Sequence, residues 1–270
     1  MKTKKGITLD AVREVYSGPE MQLWELLMGR QIHLGGAEST DELIAKANLA
    51  KSSRGADLCC CTGEGMRYLV ERHGIEKMTG VDATQNVIEL GRCRTEHAGL
   101  KDRISFVHAD ATDTKLPEGS VDFVWGEDAW CYVDDKPALI AEAARLVKRG
   151  GTVAFSDWME NKNLSDSESQ RFLGFMKFAN ILKLEEYVEL LENNGCDVIS
   201  ADNTGRFAVC VELYLKMLRG QHRYDALKIL GGNADMLNAV IGEMEFVHGL
   251  ASSGKIMQGM IVARKKIQED

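Results

Sequence analysis

The chain has 270 residues, 44% of them hydrophobic and 27% charged, with a net charge of −8, enough to bury the core of one large domain with a modest appendage. No domain-wide basic face is evident, which argues against nucleic acid as the main partner. No apolar run approaches membrane-spanning length and the N-terminus has no apolar signal core, so neither a membrane span nor secretion is expected.

The seven cysteines include the contiguous Cys59, Cys60 and Cys61 and lack paired metal-ligand spacing. No metal site is therefore expected, and a reducing cytoplasm is the expected home. Lys2, Lys4 and Lys5 read as a solvated tail.

In chain order, Ala11 to Met28 carries apolar residues at helical spacing, interrupted by Ser17-Gly18-Pro19, so two short helices are expected. Ile32-His33-Leu34-Gly35-Gly36 reads as a loop and Thr40 to Leu49 as a helix. Strand-like runs follow at Ala56–Cys61, Met78–Ala83, Ile104–Ala109 and Val121–Trp125. Helical stretches near Met66–Arg72, Thr84–His97 and Pro137–Val147 separate most of the strands, and Gly150-Gly151 precedes a strand at Thr152–Ser156. This alternation predicts an α/β fold, a doubly wound and mainly parallel sheet with helices on both faces. Leu184–Asn193 is an amphipathic helix stopped by Gly195, with Val198–Ala201 a strand after it. A long helical region from Phe207 to Val247 comes before a last strand, Ile256–Ala263. The resulting organisation is an N-terminal helical cap (1–50), a core (51–205), a helical insertion read as a lid over the ligand edge (206–254) and the final strand (255–270).

The most informative stretch is Ala56 to Gly65, a short strand entering a turn with Gly63 and Gly65 ahead of a helix. Asp82 ends the next strand about nineteen residues after Gly63, the unit that holds an adenosine-containing cofactor: backbone close to the ligand at the turn, and an acid for the ribose hydroxyls. A dinucleotide fits poorly, because its pyrophosphate needs a Gly-x-Gly-x-x-Gly turn. A cofactor without phosphates, such as S-adenosylmethionine, fits better.

The Asp-x-Cys-x-Cys-x-Gly string from Asp57 to Gly63 resembles motif I of the class I S-adenosylmethionine-dependent methyltransferases, with Cys59 and Cys61 where that family usually has glycine. Val81-Asp82, Ala109-Asp110-Ala111 with Leu116-Pro117, Asp122 to Trp125, and Arg145 to Gly151 resemble the family's following motifs, in order, over roughly residues 50–160. The resemblance implies that Asp57, Cys59 and Gly63 border the cofactor, with Asp82 and Ala83 at the ribose and Asp110 and Ala111 at the adenine. Cysteine at the glycine positions implies ordinary, non-glycine backbone angles there; by themselves the three cysteines read as small core residues of a strand.

A narrower resemblance is to the glycine, sarcosine and dimethylglycine N-methyltransferases that make betaine. It rests on Trp24-Glu25, Ile32 to Gly36, Glu127 to Tyr132 with Asp134-Asp135-Lys136, Leu182 to Leu191 with Tyr187, and the terminal Gly259 to Lys265. It implies a small-molecule amine substrate, S-adenosylhomocysteine as product, and cofactor contacts from Trp24 and Glu127. Methyl transfer is an in-line displacement that depends on positioning in a dry site. His33, Glu127 and Tyr132 are the candidates to assist proton loss. Tyr16, Arg30, Trp130, Trp158 and Arg206 are the candidate substrate contacts, the arginines for a carboxylate and the aromatic rings for a cation. Other small or lipidic acceptors, arsenite among them, and a non-catalytic cofactor-binding role are the alternatives; a homodimer stays open.

Overall fold

The computed structural model describes residues 2–4 and 6–267; Lys5 of the N-terminal lysine cluster lies outside them. Its main sheet has seven strands in the order β4-β3-β2-β5-β6-β9-β8: β2 (Arg54–Leu58), β3 (Lys77–Asp82), β4 (Ile104–His108), β5 (Val121–Glu127), β6 (Val147–Glu160), β8 (Cys196–Asn203) and β9 (Ile256–Lys265). The strands β4 to β6 run parallel, and β9 enters antiparallel between β6 and β8.

Side chains alternate across this sheet as a strand requires. Phe123 and Trp125 of β5 pack on one face with Leu43, Leu69 and Ile88 of the helices α3 (Gly36–Ala47), α4 (Glu64–Arg72) and α5 (Gln85–His97). Val124 and Phe155 face the other way, onto Leu139, Ile140 and Leu191 of α6 (Lys136–Leu146) and α8 (Leu184–Asn193). Fully burying each such side chain stabilises the fold by about 1.5–3 kcal/mol. The doubly wound reading therefore holds.

A third core joins α2 (Pro19–Met28) to α7 (Asp166–Met176) and to the helices between β8 and β9, through Leu23, Leu27, Phe172, Val211 and Met244. Those late helices are α9 (Phe207–Arg219), α10 (Arg223–Ile229) and α11 (Ala234–Ser252). One long helical region was the expectation; Gly220 and Gly231-Gly232 break it into these shorter pieces. At the N-terminus, α1 (Leu9–Ser17) and α2 do split at Gly18, with Pro19 opening α2, where its missing N–H costs nothing. The described chain begins with a two-residue strand, β1 (Lys2–Thr3), antiparallel to β7 (Asn180–Ile181).

Candidate active site

Leu58, Asp82, His108 and Glu127 stand at the carboxyl ends of parallel strands β2 to β5. The order β4-β3-β2-β5 reverses direction of winding at β2 and β5, the point where open α/β sheets bind ligands. A cleft of about 300 Å³ opens there.

The loop from β2 to α4 forms its floor. The strand ends at Leu58, not at Cys61, so the three cysteines belong to the loop and not to a strand core. Cys59 (φ 64°) and Cys61 (φ 48°) adopt left-handed angles, which correct the expectation of ordinary angles and cost an L-residue about 1–2 kcal/mol each. Hydrogen bonds hold the turn in place: the Cys59 and Cys60 N–H groups donate to the Val81 carbonyl at 2.8 and 3.1 Å, and the Cys61 N–H donates to Asp82 Oδ2 at 2.9 Å. Gly63 (φ 73°) turns the chain into α4, and a Cβ there would stand 2.7 Å from the Phe106 ring. Gly63 does not itself line the cleft, whereas Cys59, Cys61, Glu64 and Gly65 do.

Carboxylates ring this floor. Asp82 also accepts the Thr84 N–H at 2.9 Å; burial pushes its carboxyl up, against the pull of those backbone donors. Asp57, 6% exposed, is pushed well up by burial, then by Glu127 and Asp82. Asp110 accepts from the Thr112 N–H and hydroxyl at 2.8 and 2.7 Å. Ala83 and Ala111 line the cleft with them.

The opposite wall comes from the loop before α3 and from the 3-10 turn Trp130–Tyr132 after β5. His33 is 4% exposed. Its Nε2 lies 3.3 Å from the Thr40 hydroxyl and 3.5 Å from Glu127 Oε1, and the same hydroxyl donates to Glu127 Oε1 at 2.8 Å. Nδ1 is buried with no partner among the described residues. Asp128, at φ 51°, ties this loop to the sheet: it accepts the Leu34 N–H at 2.8 Å, the Ser156 hydroxyl at 2.8 Å and the Gln258 amide at 2.8 and 2.9 Å.

Beside the cleft at Tyr132 lies a small apolar pocket of about 20 Å³, room for one water-sized group, lined by Tyr16, Trp24, Trp158, Phe178 and Met176. Tyr16, Ile32, His33, Asp128 and Tyr132 line both spaces and so form their junction. The Tyr132 ring meets Tyr16 at 5.4 Å and Phe178 at 4.8 Å, edge to face. Burial first, and neighbouring groups after it, push both phenols up, so each acts as a neutral hydroxyl at neutral pH and neither as a ready base.

Several residues expected at the site lie elsewhere. Trp130 is fully buried, stacked on Phe155 at 4.1 Å, and its indole N–H donates to the Leu58 carbonyl at 3.2 Å. It ties β5's exit to β2 and contacts no cleft. Arg206 donates to Ser39 at 2.8 Å and pairs with Glu42, fastening α9 to α3. Trp24 lies in the side pocket and not in the cofactor cleft, as does Trp158. Arg30 is exposed at the cleft rim. No residue of α9 to α11 lines the cleft; its cover is the N-terminal segment, through Ile7, Thr8, Leu9 and Val12. An N-terminal helical cap was expected, but not Ile7, Thr8, Leu9 and Val12 as the residues that face the cleft, nor Asp128. The periodicity of α1 marks a buried face without naming what it covers, and Asp128 looks like any acid in a turn.

The arsenite alternative needs converging thiols. Among the described residues no group of three His, Cys, Asp or Glu side chains converges to hold a metal ion, and burial pushes the Cys59, Cys60 and Cys61 thiols up, away from the reactive thiolate.

Residues 56–155 match the family described as "Methyltransferase domain". A phosphoethanolamine N-methyltransferase of Triticum aestivum is 27% identical over 253 residues, covering 88% of this chain and 48% of the relative, so the chain spans about half the length of that curated protein. Among solved structures, a candidate sarcosine dimethylglycine methyltransferase from Galdieria sulphuraria superposes with a TM-score of 0.83 at 17% identity, covering 94% of this chain and all of that one. Phosphoethanolamine N-methyltransferase 2 of Haemonchus contortus, in complex with S-adenosyl-L-methionine, gives 0.81 at 18% identity, covering 97% of this chain and 61% of that one. The chain has the class I methyltransferase fold. Its residues 56–155 match a methyltransferase domain. Among the described residues no helix is long and apolar enough to cross a membrane.

Proposed function

We propose that this protein is an S-adenosylmethionine-dependent N-methyltransferase for a small amine, with the cofactor in the main cleft and the amine beside Tyr132, where the cleft meets the small aromatic pocket. The observation that carries the reading is the wall the two spaces share: a carboxylate-ringed cleft at the sheet's switch point meets, at Tyr16, His33 and Tyr132, a small pocket walled by Trp24, Trp158 and Phe178. The cofactor supplies an electrophilic methyl group on a cationic sulfonium.

The residues present fit such a molecule. Asp82, fixed by two backbone donors, would accept the ribose hydroxyls. Asp57 lines the cleft without a hydrogen-bond partner in the described protein, and would take an ammonium group. Asp110 and Ala111 would meet the adenine. On the acceptor side, aromatic faces attract an alkylammonium and exclude water from it. With Nε2 facing Thr40 and Glu127, His33 keeps Nδ1 to accept a proton from the amine. Tyr132 would orient the nitrogen from the junction.

Charge argues for an acceptor of the glycine, sarcosine or dimethylglycine kind. Arg30 and His33 are the only basic residues among the described ones lining the cleft, against Asp57, Glu64, Asp82, Asp110, Glu127, Asp128, Asp134 and Asp135. Arg30 at the rim can meet one carboxylate, whereas a phosphate dianion would face this acidic ring with little opposing charge. Phosphoethanolamine is the second reading, favoured by the name of the wheat relative.

The test is mass-spectrometric turnover with S-adenosylmethionine and, separately, glycine, sarcosine, dimethylglycine, ethanolamine and phosphoethanolamine, alongside calorimetry of cofactor binding. The expected result is methylation of an unphosphorylated amine. Preferred transfer to phosphoethanolamine would replace the first reading by the second, and cofactor binding with every amine untouched would overturn both.

A further inference from the structure

Beneath the 3-10 turn lies a buried polar knot that the cleft does not use. Lys136, the first residue of α6, and Asp157, in β6, are both 0% exposed, and neither lines the cleft or the side pocket. The Lys136 ammonium donates to the Val133 carbonyl at 2.5 Å and to Asn180 Oδ1 at 2.6 Å. Asp157 Oδ1 accepts the Cys131 N–H at 3.0 Å, and its Oδ2 accepts the Tyr187 hydroxyl at 2.6 Å. The Asn180 amide completes the knot by donating to the Asp134 carbonyl at 2.7 Å.

The residues on either side of Tyr132 are therefore each gripped by a buried ionisable side chain, one through its N–H and the other through its carbonyl. Burying such groups carries a heavy desolvation penalty, and apolar residues of similar volume would often be as stable or more so. Packing alone does not explain a lysine and an aspartate here. What the two do that leucine or methionine cannot is fix the backbone at two points flanking one side chain.

We propose that Lys136 and Asp157 are positioning residues for Tyr132, setting the backbone around it so that the phenol stands at the junction of cofactor cleft and side pocket. This rests on the reading of that junction as the acceptor site. Neither residue touches substrate or cofactor. Loss of the grip frees the turn and misplaces Tyr132 while the cofactor floor, built on β2 and β3, stays intact.

The experiment uses the whole chain with ring-labelled tyrosine. The chain has six tyrosines, and Tyr132→Phe identifies its signal. Lys136→Met keeps the stem and removes the donor; Asp157→Leu removes the acceptor; Asp157→Asn keeps an acceptor oxygen for Cys131. The expected result is a displaced or broadened Tyr132 signal in Lys136→Met and Asp157→Leu, with the exposed Tyr224 signal unchanged and the wild-type Tyr132 position restored in Asp157→Asn. Turnover of the amine in the two disruptive variants should fall at least about tenfold in kcat/KM, with cofactor Kd within about twofold. A Tyr132 signal unmoved in the disruptive variants overturns the proposal, as does a loss of turnover explained by loss of cofactor binding. If one of them fails to fold, the other decides alone, and if both do, failure of Asp157→Asn to keep the Tyr132 position overturns it. The signal needs no turnover, so a displaced Tyr132 in a protein that methylates no amine leaves the positioning role standing and defeats only the acceptor reading.

Discussion

Cys59 and Cys61 sit at left-handed backbone angles where the methyltransferase motif ordinarily has glycine, and this is where residue chemistry and loop geometry conflict most openly. Restoring glycine removes the steric cost of about 1–2 kcal/mol but adds back chain entropy of about 0.5–1 kcal/mol. Cys61→Gly should thus leave stability unchanged or raise it by up to about 1.5 kcal/mol, whereas Cys61→Val, stiff at χ1, should lose about 1–3 kcal/mol by denaturant unfolding. Equal losses in both variants would show that the thiol's contacts, not the angle, matter. For Tyr132, removing the hydroxyl in Tyr132→Phe should lower amine kcat/KM about tenfold, the worth of one well-placed hydrogen bond, and leave cofactor Kd unchanged. Unaltered turnover would move the acceptor elsewhere. Asp57, Asp82 and Asp110 were legible in sequence because motif spacing puts each at a strand end or just beyond. Trp130 and Arg206 misled because an aromatic or a cation near a motif has no sequence mark separating the cleft side of a turn from its core side.

At the scale of elements, the central strands and their helices were legible from alternation and apolar period. Helix α7 was not, although Ser165 and Glu168 form a capping box at its start. The late helices suggest a lid by their place between the last strands. Their apolar faces instead meet α2 and α7, contacts too distant in sequence for any period to announce. Arg206 follows from this: as a fastener of α9 to Ser39 and Glu42, its replacement in Arg206→Gln should lower stability by about 1–2 kcal/mol with KM for the amine unchanged. A raised KM for carboxylated amines, with stability intact, would return Arg206 to the substrate.

At the scale of the whole molecule, the cleft gathers a group of acids, some of them buried. Burial holds the Asp57 and Asp82 carboxyls above their usual range, and a group raised in this way favours the fold at low pH and loses that contribution as pH rises through its folded value. A bound cation reverses the preference, because it favours the ionised form. Cofactor affinity should therefore be weaker at about pH 5.5 than at about pH 7.5, and binding at the lower pH should release protons, read as a buffer-dependent heat in calorimetry. A flat profile with no proton release would mean that these carboxylates are already ionised in the free protein.

The last strand of the sheet has a consequence for how the chain is made. Strand β9 fills the gap between β6 and β8, pairing with β6 from Thr152 to Glu160. During translation that margin of β6 stays unpaired while the intervening residues are added, which at ordinary elongation speeds takes on the order of 5–20 s. For that interval the nascent protein exposes a nine-residue edge of unpaired N–H and C=O groups, open to pairing with any other strand within reach.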